Sequence, residues 1–116
     1  MDAADRDAIA RGLEDDRARA RRRMEALIRD FEEIVEHSAD AARDDEHDPE
    51  GSTIAFERAQ VAALITATRD HLRDIEVAEA RLAAGDHSRC EACGRTIPTE
   101  RHRARPTART CVDCSA

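Results

Sequence analysis

The chain has 116 residues, with 26 acids against 19 arginines and five histidines, a formal charge of −7 and only 2% aromatic residues. That balance lacks the basic excess of a typical nucleic-acid binder. The scarcity of aromatics excludes a large compact core, and no apolar run approaches the ~18 residues of a membrane span. Ala, Arg, Asp and Glu are the commonest residues, and Ala, Arg, Glu and Leu in this proportion suggest long helices or a coiled coil. The first residues, Met1-Asp2-Ala3-Ala4-Asp5, lack the basic and apolar regions of a signal peptide, so a cytoplasmic location is expected.

The first predicted element covers residues 8–37. Ile9, Leu13, Ala20, Met24, Leu27, Phe31 and Ile34 recur at spacings of three, four or seven, an a/d stripe. Gly12 weakens the start of this helix, and fraying is expected before it. A second helix is predicted over residues 53–84, with Ile54, Val61, Ile65, Thr68, Leu72, Ile75 and Leu82 on one seam and Glu79 as its polar intruder. Gly85 is the expected C-cap. Between the helices, Pro49 breaks the pattern; Asp48 and Pro49 suit the N-cap and first position of the second helix, with Ser52 as another candidate cap. Residues 40–50 hold Asp40, Asp44, Asp45, Glu46, Asp48 and Glu50 against Arg43, a net charge of −5. Two amphipathic helices joined by a short turn fold back antiparallel. The expected architecture is therefore mainly α: a long antiparallel helical hairpin, a coiled coil over residues 1–85 with an acidic tip at 40–53, followed by a small four-cysteine zinc finger over residues 86–116.

The finger is read from Cys90-x-x-Cys93 and Cys111-x-x-Cys114. Cysteines three apart in a tight turn present both thiolates to one ion, and two such turns complete a tetrahedron of four sulfurs. Gly94 permits the first turn. Two disulfides, a redox CxxC and an iron–sulfur cluster are competing readings. Spacing and a reducing compartment favour one structural Zn2+ per chain. Four thiolates close the coordination shell, leaving no position for a catalytic water. His87 and His102 are surplus to it and are expected at the surface, as are His37, His47 and His71. His47, inside the acidic segment, would favour its protonated form. No nucleophile–base constellation and no phosphate loop is visible, so no enzyme activity is expected.

The stretch CEACGRTIPTERHRARPTARTCVDC, Cys90 to Cys114, resembles the zinc finger of the DksA/TraR family. The shared features are CExCG, the I-P turn, the ARPTA segment and the final C-x-D-C. Asp74-Ile75-Glu76, Arg81-Leu82-Ala83-Ala84-Gly85 and an acidic, Pro-containing hairpin turn before the finger extend the resemblance over roughly residues 40–116. It implies a transcription regulator that binds bacterial RNA polymerase directly, not DNA, and places its hairpin in the secondary channel. Asp44, Asp45, Asp48 and Glu50 would then form the polymerase-active tip, and Arg105 would contact polymerase or an alarmone. The family tip is Asp-Pro-x-Asp followed by a small residue, whereas here Gly51 follows Asp48-Pro49-Glu50. Of the three cations that serve ppGpp in the family, only Arg105 is present; Asp74 and Ser115 stand at the other two positions, so ppGpp is not expected to act through this chain. The alternatives are a zinc-finger adaptor and a nucleic-acid-binding module. The finger has no aromatic residue for base stacking, which weighs against the latter.

Overall fold

The structure, a computed structural model, describes residues 1–44 and 50–115, with the side chains of residues 41–44 and of Glu50 outside that description. Two long helices form a hairpin. They are α1 (Ala3–Asp44) and α2 (Glu50–Ala84); a short helix α3 (Thr99–Ala104) and a 3-10 turn (Val112–Cys114) follow. Among the described residues there is no strand, only an isolated antiparallel bridge between Arg89 and Thr96.

Helix α1 outruns its predicted range at both ends, and no fraying precedes Gly12. The Asp2 carboxylate caps the helix by accepting the Asp5 N–H at 2.8 Å, which satisfies one of the orphan donors of the first turn. Ile9 and Leu13 are fully buried on either side of Gly12, so tertiary packing outweighs its weak propensity. Gly12 itself is a point of close approach: a Cβ there would lie 3.2 Å from Pro106 Cγ. Helix α2 begins at Glu50, so Ser52 lies inside it and is not its cap. The Asp48–Pro49 cap pair falls outside the described residues. At the other end Gly85 adopts φ +82, the Asp86 N–H donates to Arg81 O at 2.9 Å, and the Gly85 N–H donates to Leu82 O at 3.3 Å. This is the Schellman arrangement that a glycine after the helix makes possible.

The chain divides into two compact units, one comprising Met1–Arg19 with His71–Ala116 and the other Ala20–Asp70. In the first, the start of α1 and the end of α2 bury Ile9, Leu13, Ile75, Ala78 and Leu82 against each other, with Leu72 at the margin. Glu79, the intruder on the seam, is balanced by Arg17 at 2.6 Å. In the second, Ala20, Leu27, Ile54 and Thr68 are buried, and Met24, Phe31, Ile34, Val61 and Ile65 are half-buried. The Thr68 hydroxyl donates to Leu64 O at 2.8 Å within its own helix, so the buried group is not left unpaired. Mainly aliphatic side chains thus line both seams, as the period of the sequence requires. Among the described residues no helix is long and apolar enough to cross a membrane.

Candidate metal centre

Each CxxC pair is folded by its own backbone. In the first knuckle Gly94 N–H donates to Cys90 O at 2.9 Å, and Cys90 N–H donates to Arg95 O at 2.8 Å. In the second, Cys114 and Ser115 N–H groups both donate to Cys111 O at 3.1 Å, closing the 3-10 turn. The two knuckles are tied together where Glu91 N–H donates to Arg109 O at 2.9 Å. Cys90 and Cys111 pack around Ile97 in a small core, with Cys114 against it; Cys93 is exposed.

All four Sγ atoms lie within 4.8 Å of one another, and Cys93 Sγ is 3.8 Å from Cys111 Sγ. A tetrahedron with Zn–S bonds of about 2.3 Å sets its sulfurs about 3.8 Å apart, so the donor set has the spacing zinc needs. The cysteines are free, without a disulfide. The electrostatics point the same way. The Cys111 backbone N–H, then those of Cys93 and Ala92, lower the Cys90 thiol to about 6. The neighbouring thiols of Cys111 and Cys93, followed by burial, push Cys114 up to about 12. Four sulfurs this close cannot all ionise on their own, and a divalent cation supplies the charge that lets them. The site carries one structural Zn2+. Among the described residues no other group of three or more His, Cys, Asp or Glu side chains is gathered this tightly.

The surroundings depart from the sequence reading at the histidines. His87 and His102 are not surface residues but fully buried, with ring centroids 4.0 Å apart and the ring planes tilted by 36°. Their Nε2 atoms are 3.0 Å from Pro106 O and 3.2 Å from Ala108 O, so each ring ties down the ARPTA segment. Burial holds both below the ordinary imidazole range, His102 to about 4, where the neighbouring His87 adds to the effect. A finger with one buried aliphatic side chain, Ile97, uses imidazole as core volume. His71 is half-buried, and its Nε2 is 3.0 Å from both Asp16 carboxylate oxygens. His37 is exposed as expected, and His47 lies outside the described residues.

Around the knuckles, Arg101 Nε donates to Thr110 O at 2.9 Å and Arg103 NH2 to Asp5 Oδ1 at 2.7 Å, which fastens α3 to the start of α1. Of the expected tip residues, Asp44 ends α1 and Glu50 begins α2, with their side chains outside the description; Asp45 and Asp48 lie outside the described residues altogether. Arg105 is exposed and lines a cleft of ≈ 460 Å³. Three carboxylates, Asp15, Asp16 and Asp74, and two further arginines, Arg19 and Arg103, share its wall.

The prokaryotic dksA/traR C4-type zinc finger matches residues 85–116. YteA, an uncharacterized protein of Bacillus subtilis strain 168, is 39% identical over 72 residues, which are 62% of this chain and 30% of that protein. The chain therefore spans less than a third of the length of this relative. The structure of transcription factor DksA2 from Pseudomonas aeruginosa is similar over 97% of this chain and 81% of its own, with a TM-score of 0.79 at 24% identity. Residues 85–116 thus match the dksA/traR C4-type zinc finger, and the chain shares the fold of DksA2.

Proposed function

We propose that the protein is a transcription regulator of the DksA type that binds bacterial RNA polymerase directly and acts in the cytoplasm without being an enzyme itself. The observation that carries this reading is the joining of a dksA/traR finger at residues 85–116 to a fold shared with the transcription factor DksA2 over 97% of the chain. The hairpin turn between α1 and α2 enters the secondary channel of the polymerase. There Asp44, Asp45, Asp48 and Glu50 meet basic residues or the water ligands of a catalytic Mg2+, which favours a few carboxylate oxygens. Zinc holds the finger as a docking platform, from which Arg105 reaches the polymerase. No sequence-specific contact with DNA is part of this reading.

The protein acts without ppGpp. The cleft that contains Arg105 is lined by three carboxylates and three guanidinium groups, and two of those guanidinium groups are already engaged, Arg103 with Asp5 at 2.7 Å and Arg19 with Asp16 at 4.0 Å. A polyanion gains little from a wall of balanced charge.

The test is binding of the zinc-loaded protein to core RNA polymerase, with the Asp44→Asn, Asp45→Asn, Asp48→Asn triple variant in parallel. Tight wild-type binding, with binding kept but the effect on promoter complexes lost in the variant, is the expected result. Absence of binding would overturn the reading in favour of a zinc-finger adaptor or nucleic-acid module. A ppGpp-dependent gain in the effect would overturn the alarmone statement alone.

A further inference from the structure

Arg81 stands in the last turn of α2 with its side chain only 15% exposed. A guanidinium this buried must find partners, and among the described residues its side-chain partners belong to the finger. Its NH2 donates to Asp86 O at 3.0 Å and to Arg89 O, the carbonyl directly before Cys90. Its NH1, buried and without a hydrogen bond of its own, faces Glu91 Oε1 at 3.6 Å. Glu91 lies inside the first knuckle, between Cys90 and Cys93. The same Oε1 accepts from Arg109 Nε at 2.9 Å, two residues before Cys111 of the second knuckle. The backbone of Arg81 takes part as well, since its carbonyl receives the Asp86 N–H that closes the helix. One residue thus ends the helix with its main chain and holds the first knuckle with its side chain, reaching the second through Glu91 and Arg109. The planar fork of arginine can serve two carbonyls and a carboxylate together, which the point charge of a lysine cannot.

We propose that Arg81 is a positioning residue of the zinc site, locking both knuckles to the end of α2 so that zinc binding and closure of that last turn are one cooperative event. Removing groups that orient metal ligands from outside the coordination shell commonly weakens metal affinity by 10–100-fold. An exposed ion pair has no comparable effect. Arg95 and Asp113, 4.0 Å apart and 77% and 84% exposed, provide the control.

Zinc affinity of the full chain is measured by competition with a chromophoric chelator, alongside amide hydrogen exchange at Gly85 and Asp86 with and without zinc. Arg81→Met is expected to weaken zinc binding by about 10–100-fold. Arg81→Lys should fall between it and the wild type, and Arg95→Met should match the wild type. In the wild type, zinc protects the Gly85 and Asp86 amides; in Arg81→Met that zinc-dependent protection is lost. A methionine variant within about twofold of wild-type affinity, or one that keeps the protection, overturns the proposal. Should Arg81→Met fail to fold, Glu91→Gln decides, since it keeps the shape and removes the charge: unchanged zinc affinity there overturns the proposal, and weaker binding supports it.

Discussion

The two buried imidazoles set a pH limit on the finger. Burial lowers the pKa of His87 and that of His102, the latter to about 4, while the unfolded chain keeps the ordinary value near 6.5. The unfolded state therefore binds more protons across that interval, and stability falls as pH drops from about 6.5 towards about 4. Above about 6.5 both states are neutral at these sites and no dependence arises from them. The charges that would face a protonated ring are the partner imidazole, Arg81 and Arg101, all of which oppose it. The His102→Gln variant keeps an N–H for Ala108 O but does not titrate. Denaturant unfolding of zinc-saturated protein between pH 7 and 5 should show a shallower loss of stability in this variant than in the wild type. Because both forms share the same four cysteines, the difference between them reads the histidine and not the metal. The sequence assigned these histidines to the surface because four thiolates already closed the metal shell and left them surplus to it. It could not reveal that a finger of about 30 residues with Ile97 as its buried aliphatic residue has to recruit polar rings to fill its interior.

Periodicity made the helices and their seams legible, because each seam residue is fixed by its neighbours three and four positions away. The same logic predicts the energetic contrast along them. Leu13 and Ile75 are completely buried against each other's helices, whereas Phe56 on α2 is 70% exposed. Leu13→Ala should cost about 2–5 kcal/mol in chemical denaturation of the zinc-loaded protein, through lost transfer energy and the cavity left behind. Phe56→Ala should stay within about 0.5 kcal/mol. Gly12 shows where the local pattern misleads. Helix propensity alone would favour alanine or leucine there, yet the position faces Pro106, 94 residues away, and a longer side chain would be driven into the proline ring. Gly12→Leu is therefore expected to destabilise by about 1–3 kcal/mol, the usual scale of overpacking. Contacts of such sequence separation, Gly12 with Pro106 and Asp5 with Arg103, leave no trace in a heptad and became visible only in the folded chain.

At the scale of the whole molecule, the zinc site and the helices draw on different sources of stability, and that decides what metal removal does. The hairpin is held by apolar seams that contain no metal ligand, and its 42-residue and 35-residue helices account for most of the helical backbone. The finger instead has a minimal core of Cys90, Ile97 and Cys111, two of whose three members are ligands, so metal binding is its folding energy. A strong chelator should release one zinc per chain and leave most of the far-UV helical signal in place. The amides of Cys90 and Cys114, which close the two knuckles, and of Ile97, which donates to Ser88 O beside the first, should lose their hydrogen-exchange protection. Partial loss is expected at Ile9 and Leu13, because Pro106 against Gly12 and Arg103 against Asp5 tie that stretch of α1 to the finger. Protection at Leu27 and Ile54, in the other compact unit, should not change. If chelation melted both units together, the apolar seams would not suffice on their own, and the hairpin would owe its stability to the metal. If the finger amides stayed protected, Ile97 and the buried histidines would be a sufficient core, and zinc would serve the geometry of the knuckles without supplying their folding energy.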